Sequence, residues 1–341
     1  MEGNLPRPPP PVVGKVTHHN IELYWEEALS KLNQNIKKGD RRVRVCIQEQ
    51  DTHNQWGNVY TGYGKRTIIN SLEPSTEYKY RMRFMNDAGN SEWSAHVTVS
   101  TTKEPLTGEH LHRAIMRLDL EELERILETG DVYIDTPDKL GFSPLMQAAQ
   151  KGYLEILEKL LSFGADVHLK NDAGKTSLML ACFAGQLDSV KILRSNGANY
   201  EDFDRGGSAP LHWAVDGQND KLVEWMIKDG AEVDIRDQNS GWTPLLRCAS
   251  VTGNYDVASV LLMYGADINA QDNDRKTPLM IAILNGHFPL VELLLKRNAD
   301  ISRTNEFGKT AFEMALTMDK RRIIKTIEEH CDRKGIKIPI H

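Results

Sequence analysis

The cysteines are the most reactive side chains of this chain, and they could serve as nucleophiles, disulfide partners or metal ligands. The sequence contains four of them: Cys46, Cys182, Cys248 and Cys331. They are widely scattered, and no two have the CxxC spacing of a zinc or redox site. The sequence therefore predicts neither a disulfide framework nor a zinc centre. A reducing compartment, the cytosol or the nucleus, is the matching expectation.

The histidines and carboxylates also lack the spacing that catalysis or metal binding requires. The neighbouring histidines His18-His19 and His110/His112 have no further ligands at metal spacing. The chain contains no HExxH sequence, phosphate-binding loop or GxSxG elbow, and no convincing pair of catalytic carboxylates. We therefore predict that the protein is not an enzyme, with no catalytic, cofactor-binding or metal-binding residues and no cofactor.

The dominant pattern is instead a block of about a dozen residues that recurs every 33 or 34 positions. Its first full copy begins at Gly141 and reads GFSPLMQAA. The third position of the block steps through Ser143, Thr176, Ala209, Thr243, Thr277 and Thr310. A fixed period of this length predicts a stacked solenoid, in which each unit buries its apolar face against its neighbours. The repeat pattern therefore favours a protein that binds a partner over one that catalyses a reaction.

Each unit carries the start and stop signals of two helices. Thr followed by Pro opens the first helix, because the hydroxyl caps free N–H groups and Pro fixes φ. A Gly such as Gly164 ends the second helix, since Gly adopts the left-handed conformation without a Cβ clash. Cys182 and Cys248 take slots of the first helix that are small or apolar elsewhere, so we expect buried thiols. His212, the only His in its slot, is expected to hydrogen-bond between repeats.

These residues resemble the ankyrin repeat, which implies antiparallel helix pairs with a projecting β-hairpin in each unit. We predict a degenerate capping repeat over residues 109–137 and six repeats over 138–340. The last copy carries Ala311 in place of the usual Pro and Glu313 in the slot of His212, as a capping unit with a polar outer face requires. The resemblance implies that other proteins bind at the hairpin tips and on the concave face of the first helices.

The first hundred residues have a different texture, with short runs in which apolar and polar residues alternate. The clearest run is Tyr78–Phe84, and turn signals separate the runs, which favours a β-sandwich. Tyr78 follows a corner and is placed to bond the upstream backbone through its hydroxyl. Together with Trp25 and Trp93, these features resemble a fibronectin type III domain over residues 8–102. Residues 1–7 are then a flexible N-terminus and 103–108 a short linker.

Two details of the sandwich carry their own expectations. Residues 26–42 are longer than a usual connection, so we expect a solvated loop, with a basic contact site as the alternative. The basic residues of this stretch are Lys31, Lys37, Lys38, Arg41 and Arg42. Trp93 is expected to lie over Arg81 or Arg83 as a structural cation–π stack on the outer face of the sheet.

Charge is distributed unevenly along the chain. Residues 1–104 carry a net charge of +2 and residues 105–341 a net charge of −8. An acidic array is a poor nucleic-acid binder, because phosphate contacts need clustered Lys and Arg, and it suits protein partners with basic patches. The sequence lacks an apolar stretch long enough for a membrane span, and its start does not have the pattern of a signal peptide. The oligomeric state stays open.

Two aligned series of variable residues mark where a partner is expected to bind. One precedes the Thr slot and the other lies in the first helix, and large apolar or Arg side chains there are typical interface anchors. The candidates are Phe142, Trp213, Trp242 and Arg247, with the last three in consecutive units. The alternative is that both tryptophans cover neighbouring repeats.

Asn269 is a candidate for modification. Its surroundings, LLMYGADIN, resemble the ankyrin context in which an oxygen-dependent hydroxylase acts on a hairpin asparagine. It is the only Asn at its position in the repeats; the other copies carry His168, Glu201, Asp234 and Ser302. The alternative is that Asn269 is simply a good turn residue.

A sandwich followed by a repeat array is an uncommon order, and almost the whole chain resembles the fibronectin type III and ankyrin repeat domains family. The sequence therefore predicts a multidomain chain, an all-β fibronectin type III sandwich followed by an all-α ankyrin-repeat solenoid. The resemblance implies a non-catalytic intracellular adaptor in cytoplasm and nucleus, linked to transcription and apoptosis in male germ cells. The alternative is a structural component of a larger assembly such as a cilium or sperm axoneme. The short linker leaves open that the two modules pack as one rod.

Overall fold

The computed structural model describes residues 5–35 and 42–338, and the chain divides into two compact units, Met1–Pro105 and Leu106–His341. The strands of the first unit are β1 (Val12–Val16), β2 (Ile21–Tyr24), β3 (Arg44–Gln50), β4 (Trp56–Gly62), β5 (Arg66–Ile69), β6 (Glu77–Asn86), β7 (Gly89–Asn90) and β8 (Val97–Ser100). One sheet has the order β1-β2-β5; the other has the order β4-β3-β6-β7, with β8 also paired to β6. All pairings are antiparallel.

The core of the first unit lies between these sheets, as the alternating pattern predicts. Tyr80, Met82 and Phe84 of β6 are buried, while the intervening basic residues are only half-buried. Trp25 is buried in the same core, and the Tyr78 hydroxyl accepts a hydrogen bond from the Glu73 N–H at 2.8 Å. The sandwich and its tyrosine corner are therefore confirmed.

The prediction of a solvated loop over residues 26–42 was wrong for the part that directly follows β2. Residues Glu26–Asn35 form a helix, α1, which buries Leu29 and Leu32 in the sandwich core. The spacing of Trp25, Leu29 and Leu32 places these side chains on one helix face, and that face is the reason the segment folds back. Of the predicted basic site, Lys31 forms an ion pair with Glu27 at 2.8 Å. Lys37, Lys38 and Arg41 lie outside the described residues.

The described part of the second unit, residues 106–338, consists of seven helix pairs. Their first helices are α2 (Gly108–Arg117), α4 (Pro144–Lys151), α6 (Ser177–Phe183), α8 (Pro210–Asp216), α10 (Pro244–Val251), α12 (Pro278–Asn285) and α14 (Ala311–Thr317). Their second helices are α3 (Leu120–Thr129), α5 (Leu154–Ser162), α7 (Leu187–Ser195), α9 (Asp220–Lys228), α11 (Tyr255–Met263), α13 (Phe288–Lys296) and α15 (Arg321–Lys334). Each first helix packs against the first helix of the next pair. One continuous apolar core results.

The repeated Thr acts as the sequence predicts, and Ala209, the one residue of this series without a hydroxyl, shows why a helix needs it. Thr243 and Thr277, for example, accept hydrogen bonds from the N–H groups three residues on, those of Leu246 and Met280. Ala209 has no hydroxyl, and there the ring Nδ1 of His212 accepts a hydrogen bond from the Ala209 N–H instead. In this repeat a side chain of the first helical turn accepts from the N–H of the residue before the helix, whereas in the Thr repeats the residue before the helix accepts from an N–H of the first turn.

Candidate functional site

An Asp or Asn closes each hairpin loop between successive helix pairs. Its side-chain oxygen accepts hydrogen bonds from backbone N–H groups of the loop, which fixes the turn. The six residues are Asp138, Asn171, Asp204, Asp237, Asp272 and Asn305. Since only one oxygen is needed for the turn, the second polar atom of each side chain can bind a residue outside the loop.

That second atom holds the variable residue of the first helix in three of the repeats. Gln147 Nε2 donates to Asp138 Oδ2 at 2.6 Å, and Trp213 Nε1 donates to Asp204 Oδ2 at 3.0 Å. In the last repeat, Asn305 Nδ2 donates to the sulfur of Met314 at 3.8 Å. In these three repeats, the residue of the variable series therefore lies between hairpin and first helix, with its side chain held in place.

Trp213 is the centre of an aromatic patch. Its half-buried ring has Phe183 edge-on at 5.6 Å, and Lys175 Nζ lies 4.0 Å from the ring centroid. Phe183 itself is 47% exposed. Both neighbours belong to the preceding repeat, so Trp213 covers that repeat and also offers apolar surface to solvent.

Trp242 borders a cleft of about 310 Å³ between hairpins and first helices, whose walls include Asp272, Lys276 and Ile281. Its Nε1 donates to Asp272 Oδ2 at 3.3 Å, in the next repeat. By repeat register, Ile281 of this cleft occupies the position that Trp213 holds two units earlier, and Leu284 occupies the position that Phe183 holds three units earlier. The patch and the cleft are thus parts of one surface, which we call the inner groove: Lys175, Phe183, Trp213, Trp242, Lys276, Ile281 and Leu284.

Arg247 is placed differently from the sequence expectation of a free anchor. Its guanidinium binds Asp216 of the preceding repeat in bidentate fashion, at 2.9 Å through Nε and 2.7 Å through Nη2. The Asp216 carboxylate raises the pKa of Arg247 above its ordinary value. Because the Asp216 side chain is only 9% exposed, this pair joins two repeats.

The remaining predicted contact residue stands apart from the groove. Phe142 is half-buried in the first hairpin, three repeats before Trp242, and its N–H donates to Asp138 Oδ1 at 2.8 Å. The structure therefore brings together Trp213 and Trp242 but not Phe142. Phe183 was missed, although it lies three residues after Leu180, the member of the variable series in its helix, and so on the same helix face.

Asn269 uses its side chain to join two repeats. Its Oδ1 accepts a hydrogen bond from the Asp300 N–H at 2.8 Å. Asp234 holds the same position one repeat earlier and accepts from the Asp267 N–H at 2.9 Å. Burial raises the pKa of Asp234 above its ordinary value, whereas an amide forms the same bond with no charge to desolvate. Asn269 is thus half-buried in its hairpin, with its amide oxygen engaged.

The histidine and cysteines fill structural slots. Burial lowers the pKa of His212, which keeps its ring neutral near pH 7. With Nδ1 accepting from Ala209, the proton lies on Nε2, which donates to the Trp242 carbonyl at 2.9 Å in the next repeat. The predicted inter-repeat hydrogen bond is confirmed. All four cysteines are free and buried, and burial raises the pKa of Cys248 to about 11.

Over residues 5–35 and 42–338, no group of three or more His, Cys, Asp or Glu side chains is arranged to hold a metal ion. Within the same ranges, no helix combines the length and the apolar character needed to cross a membrane.

Charge is concentrated in the part of the array that contains the groove. Residues 106–285 contain seventeen Lys and Arg against twenty-eight Asp and Glu, a net charge of −11. Residues 286–341 contain eleven against eight, a net charge of +3. An acidic array with apolar anchors between hairpins and helices favours a protein ligand that carries positive charge.

The folds and the groove define the class: a fibronectin-type sandwich with a protein-interaction module of ankyrin repeats. A family model described as ankyrin repeats (3 copies) matches residues 111–204, 145–237 and 202–272, and a model described as ankyrin repeats (many copies) matches residues 261–315. The ankyrin repeat domain of Bcl-3, a member of the IkappaB protein family, superimposes with a TM-score of 0.57 at 26% identity. That match covers 64% of this chain and 97% of the other.

Two relatives share both modules in their names. Fibronectin type 3 and ankyrin repeat domains 1 protein of Mus musculus is 49% identical over 82% of this chain and 81% of its own length. Fibronectin type 3 and ankyrin repeat domains protein 1 of Homo sapiens is 50% identical over 81% of this chain and 80% of its own length. The chain belongs to the fibronectin type 3 and ankyrin repeat domains family. Proteins built of ankyrin repeats are typically non-catalytic and bind other proteins.

Proposed function

We propose that this protein is a non-catalytic adaptor whose inner groove binds a basic segment of a partner protein. The observation that carries the proposal is the pair of half-buried tryptophans, Trp213 and Trp242, held by hairpin carboxylates beside an open cleft. Rigid aromatic anchors lose little conformational entropy on binding, so they contribute more affinity than mobile surface side chains. The net charge of −11 in this part of the chain favours a positively charged ligand.

The test is photo-crosslinking from within the groove in the tissue that expresses the protein. A crosslinking amino acid replaces Phe183 in one variant and Tyr255, exposed on the second helix α11, in a matched control. We expect Phe183 to capture Lys- and Arg-rich segments, and Trp242→Ala to remove those products. Trp225→Ala, on the second helix α9, should leave them in place.

Stability measurements separate binding from folding. We expect Trp242→Ala to weaken the binding of the partner at least ten-fold, with little change in the melting temperature of the protein. A large loss of stability with intact binding, or crosslinks from Tyr255 alone, would show that the tryptophans only cover neighbouring repeats.

For the cellular setting, we propose an adaptor in cytoplasm and nucleus that acts in transcription and apoptosis control in male germ cells. This setting rests on the resemblance to the family, and its test is proximity labelling in testis with quantitative fractionation. Labelling of transcription and apoptosis regulators in the soluble and nuclear fractions is the expected result. Recovery of the protein with axonemes would favour the alternative, a structural component of the cilium or sperm axoneme.

We also propose that Asn269 is hydroxylated by an oxygen-dependent asparagine hydroxylase. Asn269 lies in a hairpin, where its N–H donates to Asp267 Oδ1 and its Oδ1 accepts from the Asp300 N–H. This hairpin position supports the proposal, as does the local sequence. Mass spectrometry of the peptide from cellular protein should show the mass of one added oxygen atom, lost under low oxygen. A homogeneous unmodified peptide from oxygenated cells would reject the modification.

A further inference from the structure

The proline-rich segment before β1 is part of the sandwich surface. Burial along it repeats every three residues: Leu5, Pro8 and Pro11 are buried, while Pro6, Arg7, Pro9 and Pro10 are exposed. Leu5 belongs to the sandwich core. A polyproline II helix has three residues per turn, so this period is the one expected when one of its three ridges packs against a protein surface.

The sequence itself enforces that conformation. Each proline fixes φ near −65°, and a residue that precedes a proline is driven to extended or polyproline II geometry. Pro8 to Pro11 are consecutive, and both Leu5 and Arg7 precede a proline. The segment therefore cannot turn into a helix or a tight loop, and packing of its buried ridge holds it to the sandwich.

Two adjacent ridges remain open to solvent. Pro6 and Pro9 form one of them, and Arg7 and Pro10 form the other. They border a cleft of about 670 Å³ that Ala28 and Leu32 of α1 also line. Arg7 forms no ion pair with any residue in the described ranges. Exposed prolines on two ridges beside a free cation are the features that proline-recognition domains bind, with parallel aromatic side chains and an acidic group.

We propose that this segment is a preformed ligand for a protein domain that recognises polyproline II helices. Aromatic side chains of that domain stack on the ridges of Pro6, Pro9 and Pro10, and its acidic group pairs with Arg7. Because the sandwich already fixes the helix, binding orders little additional chain. The site is separate from the inner groove, so one molecule would have two contact surfaces for two kinds of partner.

The test uses a panel of immobilised SH3, WW and EVH1 domains with the full chain in solution, followed by biolayer interferometry. We expect at least one domain to bind. The double variant Pro9→Ala/Pro10→Ala should weaken that binding at least ten-fold, and Arg7→Glu should weaken it and remove its dependence on salt. Pro105→Ala, at another exposed proline, is the matched control and should bind normally.

Three results would overturn the proposal. They are no binding by any domain of the panel, binding that the double variant leaves unchanged, or binding of a free peptide of residues 5–12 but not of the intact chain. Thermal unfolding should show that the exposed-proline variants stay folded. Trp242→Ala should leave this binding intact, so failure here and failure of the groove proposal are separate outcomes.

Discussion

The sandwich and the repeats hold their tryptophans in different ways. On the sheet, guanidinium groups lie over the indole faces: Arg81 and Arg83 lie 4.6 and 4.4 Å from the Trp93 centroid, and Arg81 lies 4.1 Å from that of Trp56. In the repeats, a cation also lies near each ring, Lys175 at 4.0 Å from the Trp213 centroid and Arg247 at 6.0 Å from that of Trp242, but carboxylates of the hairpins hold the N–H edges as well. Contacts through the ring faces tie a tryptophan to its own sheet, whereas a carboxylate at the N–H edge fixes the orientation of a ring that borders the inner groove.

The comparison also separates two kinds of arginine. Arg81 donates to the amide oxygen of Gln48 and stacks on rings, whereas Arg247 neutralises a nearly buried carboxylate in another repeat. Loss of a surface stack exposes some apolar area, but loss of Arg247 leaves Asp216 charged without a partner.

The largest expected effect is that of Arg247→Ala, which we expect to lower the free energy of unfolding by about 3 kcal/mol, because Asp216 is left unpaired. Urea denaturation of the full chain measures it. Arg205→Ala, at an exposed hairpin arginine, is the control and should change stability by less than about 0.5 kcal/mol. If Arg247→Ala keeps full stability but loses a partner, Arg247 is the free anchor that the sequence suggested.

Gly174→Ala tests the hairpin framework that holds the tryptophan edges. Gly174 has φ of +76°, and an added Cβ would lie 2.7 Å from the backbone nitrogen of Arg205 in the next hairpin. We expect a loss of about 2 kcal/mol by thermal unfolding, from backbone strain together with the clash. Gly164→Ala has a similar φ of +88° and open space around its Cβ, so it should cost about 1 kcal/mol. Equal losses would mean that the hairpins do not constrain one another.

Trp93→Ala tests the claim that the sheet tryptophans are structural. We expect a loss of about 1–2 kcal/mol, since two guanidinium contacts disappear, and no change in crosslinking from the inner groove. Trp56→Ala, which removes one contact, should cost about half as much. The comparison of the two regions fails if Trp93→Ala leaves stability unchanged and abolishes partner capture.

Asp234→Asn gives the smallest expected effect, because it copies the amide that Asn269 already provides. The pKa of Asp234 is raised in the folded state, so the carboxylate opposes folding above that pKa and the opposition is relieved as pH falls through it. We expect the variant to be more stable at pH 7 by up to about 1 kcal/mol. The difference should vanish below the ordinary pKa of an Asp side chain, near 4. Urea titrations at pH 7 and pH 3 measure it, and a variant less stable at pH 7 would contradict the prediction.

Much of the fold could be predicted because each repeat contacts only its neighbours. The period of 33 or 34 residues places the caps and buried slots of the repeats, so His212, Cys182 and Cys248 were assigned correctly from position alone. Helix α1 was missed because only two leucines carry its apolar face, and a ten-residue helix gets its stability from packing on the sandwich.

The sequence by itself determined the two modules, the repeat register and the two series of variable residues, because periodicity and capping are local properties of the chain. It also enforced the polyproline geometry before β1, since proline fixes its own backbone. Tertiary structure alone decided which side chains meet. Asp216 and Arg247 are 31 residues apart, and Trp242 and Asp272 are 30 apart, so no local pattern reveals these pairs. Their contacts tie Arg247 into the array and leave Trp213 and Trp242 at an open groove, and the proposed binding role of the two tryptophans rests on that distinction.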